Sequence, residues 1–123
     1  MQISMNRIIL YVQDVAGLKA FYTSHFGLRV TEEIEGEWVV LLAGRTELAL
    51  HLAGMPYRTG QTKTGQSNAK LVFTVDLPLP ELRSKLENAG ISVGEIKRYE
   101  GFNYSLCDGR DPEGNVFQLS KPD

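Results

Sequence analysis

The chain has 123 residues and a formal net charge of −2, enough length for one domain that buries roughly two-thirds of its extended-chain surface. An apolar fraction of 42% with 23% charged residues excludes a disordered, collagen-like or coiled-coil chain, and the near-neutral charge gives no global electrostatic reason to bind nucleic acid. No apolar run approaches the ~18 residues that span a bilayer, and one cysteine excludes an internal disulfide or a Cys-rich zinc site.

Met1 to Arg7 lacks a cationic segment followed by an apolar stretch, so no signal peptide and a reducing cytoplasm are expected. Arg7–Val12, β-branched and aromatic, predicts a buried strand. Asp14 is a candidate N-cap for a helix whose apolar face is Val15, Leu18, Phe21, Tyr22 and Phe26, spaced by three and four and stopped by Gly27. Leu28–Glu35, Trp38–Ala43 and Thr46–Ala53 predict three more strands, with turns at Gly36 and Gly44-Arg45. Residues 54–68, rich in Gly and Thr, predict a linker or a flap.

The pattern then restarts. Lys70–Val75 predicts a strand; Leu79, Leu82, Leu86 and Ala89 form a helical stripe with Pro80 in its first turn and Gly90 at its end. Ile91–Tyr99, Tyr104–Asp108 and Val116–Lys121 predict three strands, the last two joined by Asp111-Pro-Glu-Gly-Asn115. Arg7 and Lys70, Val12 and Val75, and Gly27 and Gly90 each stand 63 positions apart, so the chain reads as an internal repeat. Within it, His51 and Gln118 look matched, since each has an apolar residue on both sides.

The ordered set Tyr11-Val-Gln-Asp-Val15, Phe21-Tyr22, Phe26-Gly27-Leu28, Val75-Asp76 and Asp111-Pro-Glu-Gly-Asn115 followed by Val116-Phe-Gln-Leu119 resembles the vicinal oxygen chelate superfamily. That superfamily includes glyoxalase I, extradiol dioxygenases, fosfomycin-resistance enzymes and bleomycin-binding proteins. The resemblance implies an α+β fold: a single glyoxalase-like domain over residues 1–123, with βαβββ modules at 1–53 and 69–123 whose curved mixed sheets surround a cleft. It also implies a homodimer.

The resemblance places the four cleft positions that hold metal in metal-dependent members on Arg7, His51, Lys70 and Gln118. Strand alternation turns Arg7, Ile9, Tyr11, Glu47, Ala49 and His51 to one side, and Lys70, Val72, Thr74 and Gln118 likewise. Arg7 has no acceptor lone pair, and Lys70 is a cation, which leaves two candidate ligands where a catalytic site needs three or more. The expectation is therefore no metal; a divalent Zn, Mn, Ni or Fe is the alternative. Arg7 and Lys70 would face either an anionic ligand or an internal partner such as Glu47.

His51 is a candidate acid–base group or a hydrogen-bonding group for a ligand. Asp108 is a candidate acid–base residue, or a partner for Arg110 or Lys70. Cys107 reads as a buried small hydrophobe, and His25 as a surface residue at a helix end. Trp38, Tyr11 and Tyr104 are candidate stacking surfaces, with Tyr57 and Phe102 as lid candidates. The functional expectation is a protein that binds a small organic ligand, anionic or aromatic, without metal. The alternative is a lyase, isomerase or dioxygenase of the same superfamily.

Overall fold

Alternating apolar residues make strands only where a helix covers one face, and both halves of the chain solve this in the same way. A computed structural model describes residues 1–55 and 68–123. The chain divides into two compact units, Met1–Thr62 and Lys63–Asp123. Tyr57 and most of the 54–68 segment lie outside the described residues. No helix among the described residues is long and apolar enough to cross a membrane.

The first unit contains β1 (Arg7–Val12), α1 (Val15–Phe26), β2 (Arg29–Ile34), β3 (Trp38–Ala43) and β4 (Thr46–Leu52). The sheet order is β1-β4-β3-β2, with β1 parallel to β4 and the other pairs antiparallel. Asp14 caps α1: its carboxylate accepts from the Gly17 N–H at 3.0 Å. Gly27 ends the helix at φ 66°, a left-handed turn that a side chain would strain, and the Leu28 N–H returns to the Tyr22 carbonyl at 3.2 Å. Val15, Leu18, Phe21 and Tyr22 are buried on one side of α1, and Val12, Val39, Leu41, Leu48 and Leu50 are buried on the sheet. Each such side chain contributes about 1.5–3 kcal/mol of transfer free energy.

The second unit contains β5 (Lys70–Thr74), α2 (Leu79–Asn88), β6 (Tyr104–Arg110) and β7 (Val116–Pro122), in the order β5-β7-β6. Leu79, Leu82 and Leu86 of α2 are buried, as are Leu71, Cys107, Phe117 and Leu119 of the sheet. Burial raises the Cys107 thiol, with Arg83 opposing and Asp108 adding to the shift, so Cys107 stays a protonated core residue.

One predicted element is corrected. Ile91–Tyr99 is not a strand; it touches β6 only through the bridges Val93↔Gly109 and Lys97↔Leu106. Between these bridges the segment advances four residues while β6 advances three, so an extra residue breaks the ladder. The second sheet therefore has three strands where four were expected.

Candidate functional site

Residues paired across neighbouring strands share a face of a sheet. In the first unit the registers Arg7↔Glu47↔Leu42, Ile9↔Ala49↔Val40 and Tyr11↔His51↔Trp38 stack as rows on the face opposite the buried Leu48 and Leu50. Glu32 and Ile34 of β2 extend the second and third rows, opposite Val40 and Trp38.

Arg7 does not stay in its own row. Its Nε donates to Glu47 at 3.2 Å, its Nη2 donates to Glu32 at 3.3 Å, and its Cζ lies 5.6 Å from the Trp38 ring centroid. Glu47 stands in the first row, Glu32 in the second and Trp38 in the third, so the side chain crosses the middle row. This accounts for Ala49 and Val40 being 0% exposed on an otherwise open face. The hydrogen bond to Glu47, with the charges of Glu47 and Glu32 outweighing desolvation, raises the guanidinium above its already high value. Arg7 is thus internally paired, one of the two alternatives the sequence left open.

The third row is aromatic. The His51 ring lies 5.2 Å from Tyr11 and 5.6 Å from Trp38, centroid to centroid, the latter edge-on. Tyr11 is 72% exposed; Ile9, two residues before it, and Ile34, opposite Trp38 at the other end of the row, are exposed at 44% and 58%. His51 Nδ1 is 2.8 Å from the Leu52 carbonyl. A carbonyl only accepts, so Nδ1 carries a proton, and in the neutral tautomer this leaves the lone pair on Nε2. An open aromatic surface with one directed acceptor results.

In the second unit Lys70, Asp108 and Gln118 meet. Lys70 Nζ donates to Asp108 Oδ2 at 2.8 Å, and Gln118 Nε2 donates to Asp108 Oδ1 at 3.1 Å. Burial pushes the Asp108 carboxyl up, but hydrogen bonds from Lys70 and Gln118 and the charges of Lys70 and Lys97 hold it below its usual value. An ionised, doubly engaged carboxylate favours an anchoring role over acid–base work. A native value below the unfolded one means that Asp108 stabilises the fold at neutral pH, and that this contribution is lost as pH falls through the native value. Lys70→Met should therefore raise the Asp108 midpoint and weaken this acid sensitivity. A carboxyl ¹³C titration checks it; an unchanged or lower midpoint would refute the assignment.

The registers correct one repeat match. Gln118 stands opposite Val72, two residues after Lys70. The residue opposite Ile9, two after Arg7, is Ala49, so Ala49 and not His51 is the counterpart of Gln118. His51 lies one row further on. Glu32, unsuspected in the sequence, joins the site because the pairing of β2 shifts between Val30 and Glu32. Among the lid candidates, Phe102 is exposed, its ring 5.7 Å from Tyr104.

The donor set does not fit the metal that the family implies. Arg7 and Lys70 present only N–H donors, both already ion-paired, and the counterpart of Gln118 is a methyl group. Among the described residues no three His, Cys, Asp or Glu side chains group closely enough to hold an ion.

Comparison with known proteins agrees with this architecture. Virulence protein STM3117 of Salmonella typhimurium is 23% identical over 120 residues, covering 95% of this chain and 83% of that protein. A lactoylglutathione lyase structure from Agrobacterium tumefaciens superposes with a TM-score of 0.73 at 25% identity, covering 96% of this chain and 92% of that one. TnmS3, an antibiotic binding protein from Streptomyces sp. CB03234, gives a TM-score of 0.75 at 22% identity, covering 100% and 99%. The family model matches residues 4–119, and the chain belongs to the Glyoxalase/Bleomycin resistance protein/Dioxygenase superfamily.

Proposed function

We propose that this protein binds a small planar organic molecule against the Tyr11, His51 and Trp38 rings of the first unit, without a divalent metal. The observation that carries the reading is the aromatic row itself: Tyr11 and His51 exposed and Trp38 half-buried, next to exposed isoleucines, with the Nε2 of His51 among them. Exposed aromatic surface of this kind marks a contact site more often than a structural need. An antibiotic binding protein among the similar structures supports it. The working form is a cytoplasmic homodimer, with no nucleic-acid or membrane partner.

A second reading is an enzyme, a lyase, isomerase or dioxygenase. It draws on the fixed tautomer of His51, whose Nε2 could take a proton, and on the similar lyase. Its weakness is the orienting partner, a backbone carbonyl in place of a carboxylate, which stabilises an imidazolium less.

The single tryptophan makes the test direct. In the presence of EDTA, a panel of planar aromatic compounds should contain binders that change Trp38 fluorescence and raise the Tm. Trp38→Ala should weaken them about tenfold, as for a central aromatic contact. About one equivalent of Zn, Mn, Ni or Fe in protein purified without chelator, with metal-dependent turnover of a hemithioacetal, would replace this reading with the second.

A further inference from the structure

Arg7, for which the sequence left open an anionic ligand or an internal partner, is placed by the structure among acceptors. Its guanidinium faces the Glu47 carboxylate at 3.2 Å, the Glu32 carboxylate at 3.3 Å and the Trp38 ring at 5.6 Å. Two carboxylates and an indole face are what an organic cation needs for recognition: charge-assisted hydrogen bonds on its edges and a π surface beneath it. The nearby His51 Nε2 is a further acceptor. Within the cage itself, Arg7 against Glu32 and Glu47 leaves a formal charge of −1, while Arg29, opposite Leu42 in the first row, brings the whole face to zero. The Glu32 side chain is 57% exposed, so an incoming ligand can reach it.

We infer that the ligand of this face is a planar aromatic cation, and that Arg7 is the resident occupant of the Glu32–Glu47–Trp38 cage with which that cation competes. The inference rests on the aromatic binding reading above and adds the charge of the ligand. Arg7 acts as an internal stand-in: it keeps the two carboxylates and the middle row covered until the ligand's own cation takes its place. Binding is therefore selective for positive charge and weaker than the cage alone would give.

Three isosteric probes of different charge test it: 2-naphthylmethylammonium, 2-naphthylmethanol and 2-naphthoate at pH 7. The readout is the Trp38 indole N–H signal in a ¹H–¹⁵N spectrum, unique because the chain has one tryptophan. The ammonium should bind tightest and the carboxylate weakest, about tenfold apart for charges near the surface. Arg7→Gln should tighten the ammonium about three- to tenfold. Lys19→Gln, which removes the same charge from the Lys19–Glu33 pair outside the cage, should change it less than about twofold. Tightest binding of naphthoate, or weaker ammonium binding in Arg7→Gln, overturns the inference. Equal binding of all three overturns charge selection while the binding reading stands. No shift of the indole signal with any probe overturns both. If Arg7→Gln fails to fold, Glu32→Gln decides: it should weaken the ammonium about threefold, and an unchanged affinity refutes the cage.

Discussion

Asp111→Ala should lower the folding stability by about 3 kcal/mol, the cost of stranding several half-buried donors at once. Asp111 is 5% exposed, a buried acid at the start of the β6–β7 turn. Its Oδ1 accepts from the N–H groups of Glu113 at 2.9 Å and Asn115 at 3.0 Å. The Asn115 side-chain amide donates to both carboxylate oxygens, at 3.1 and 2.9 Å. Backbone bonds Gly114 N–H to Asp111 O and Asp111 N–H to Asn115 O close the same turn. The carboxylate thus replaces the ladder that the chain gives up in order to reverse direction. Asp111→Asn keeps one acceptor and should lose about half as much. Urea unfolding followed by circular dichroism measures both. A loss under about 1 kcal/mol for the alanine would show that the backbone bonds alone hold the turn. Since the turn sets which residue of β6 faces which of β7, the alanine should also loosen the Asp108–Gln118 contact.

The parts of this molecule that local chemistry dictates were legible in the sequence. Asp14, the α1 stripe and Gly27 spell out a capped helix because each signal acts within one turn of its neighbours. The α+β order and the family followed from such pieces. What depends on pairing between distant residues was not legible. Strand periodicity repeats every two residues, so an apolar residue on each side fits Ala49 as well as His51, and only the β1–β4 register, joining residues 40 apart, separates them. The same limit hid the slip that interrupts Ile91–Tyr99 and the shift in β2 that brings Glu32 to Arg7. Alternation placed Arg7 and Lys70 on the open faces, and the choice between ligand and internal partner waited for the Glu47 and Asp108 contacts. An internal ion pair between half-exposed groups adds little stability, so these pairs matter for the charge they present to a ligand.

Gly109→Ala should destabilise the second unit by about 3 kcal/mol, at the upper end of overpacking costs in a close-packed core. A Cβ on Gly109 would sit 2.4 and 2.7 Å from ring carbons of Phe117 and 2.8 Å from the Ser92 carbonyl oxygen. Neither neighbour can retreat cheaply. Phe117 is fully buried and faces Gly109 directly across the β6–β7 pair, so its ring fills the space that a side chain would need. The Ser92 carbonyl accepts from the Arg110 N–H at 3.1 Å and holds the Ile91–Tyr99 segment against β6. The residues on either side connect this packing to the candidate site: Asp108 precedes Gly109, and Gln118 follows Phe117. A shift that relieves the clash must move Asp108 relative to Gln118, and the Lys70–Asp108–Gln118 network should loosen with it. Denaturant unfolding reads the first effect, and the ¹³C midpoint of Asp108, expected to rise toward the ordinary carboxylate value, reads the second. Phe117→Leu in the Gly109→Ala background makes room for the methyl group and should recover part of the stability. No recovery would place the strain at the Ser92 carbonyl, and a stable single variant with an unchanged Asp108 midpoint would refute the coupling of this close approach to the site.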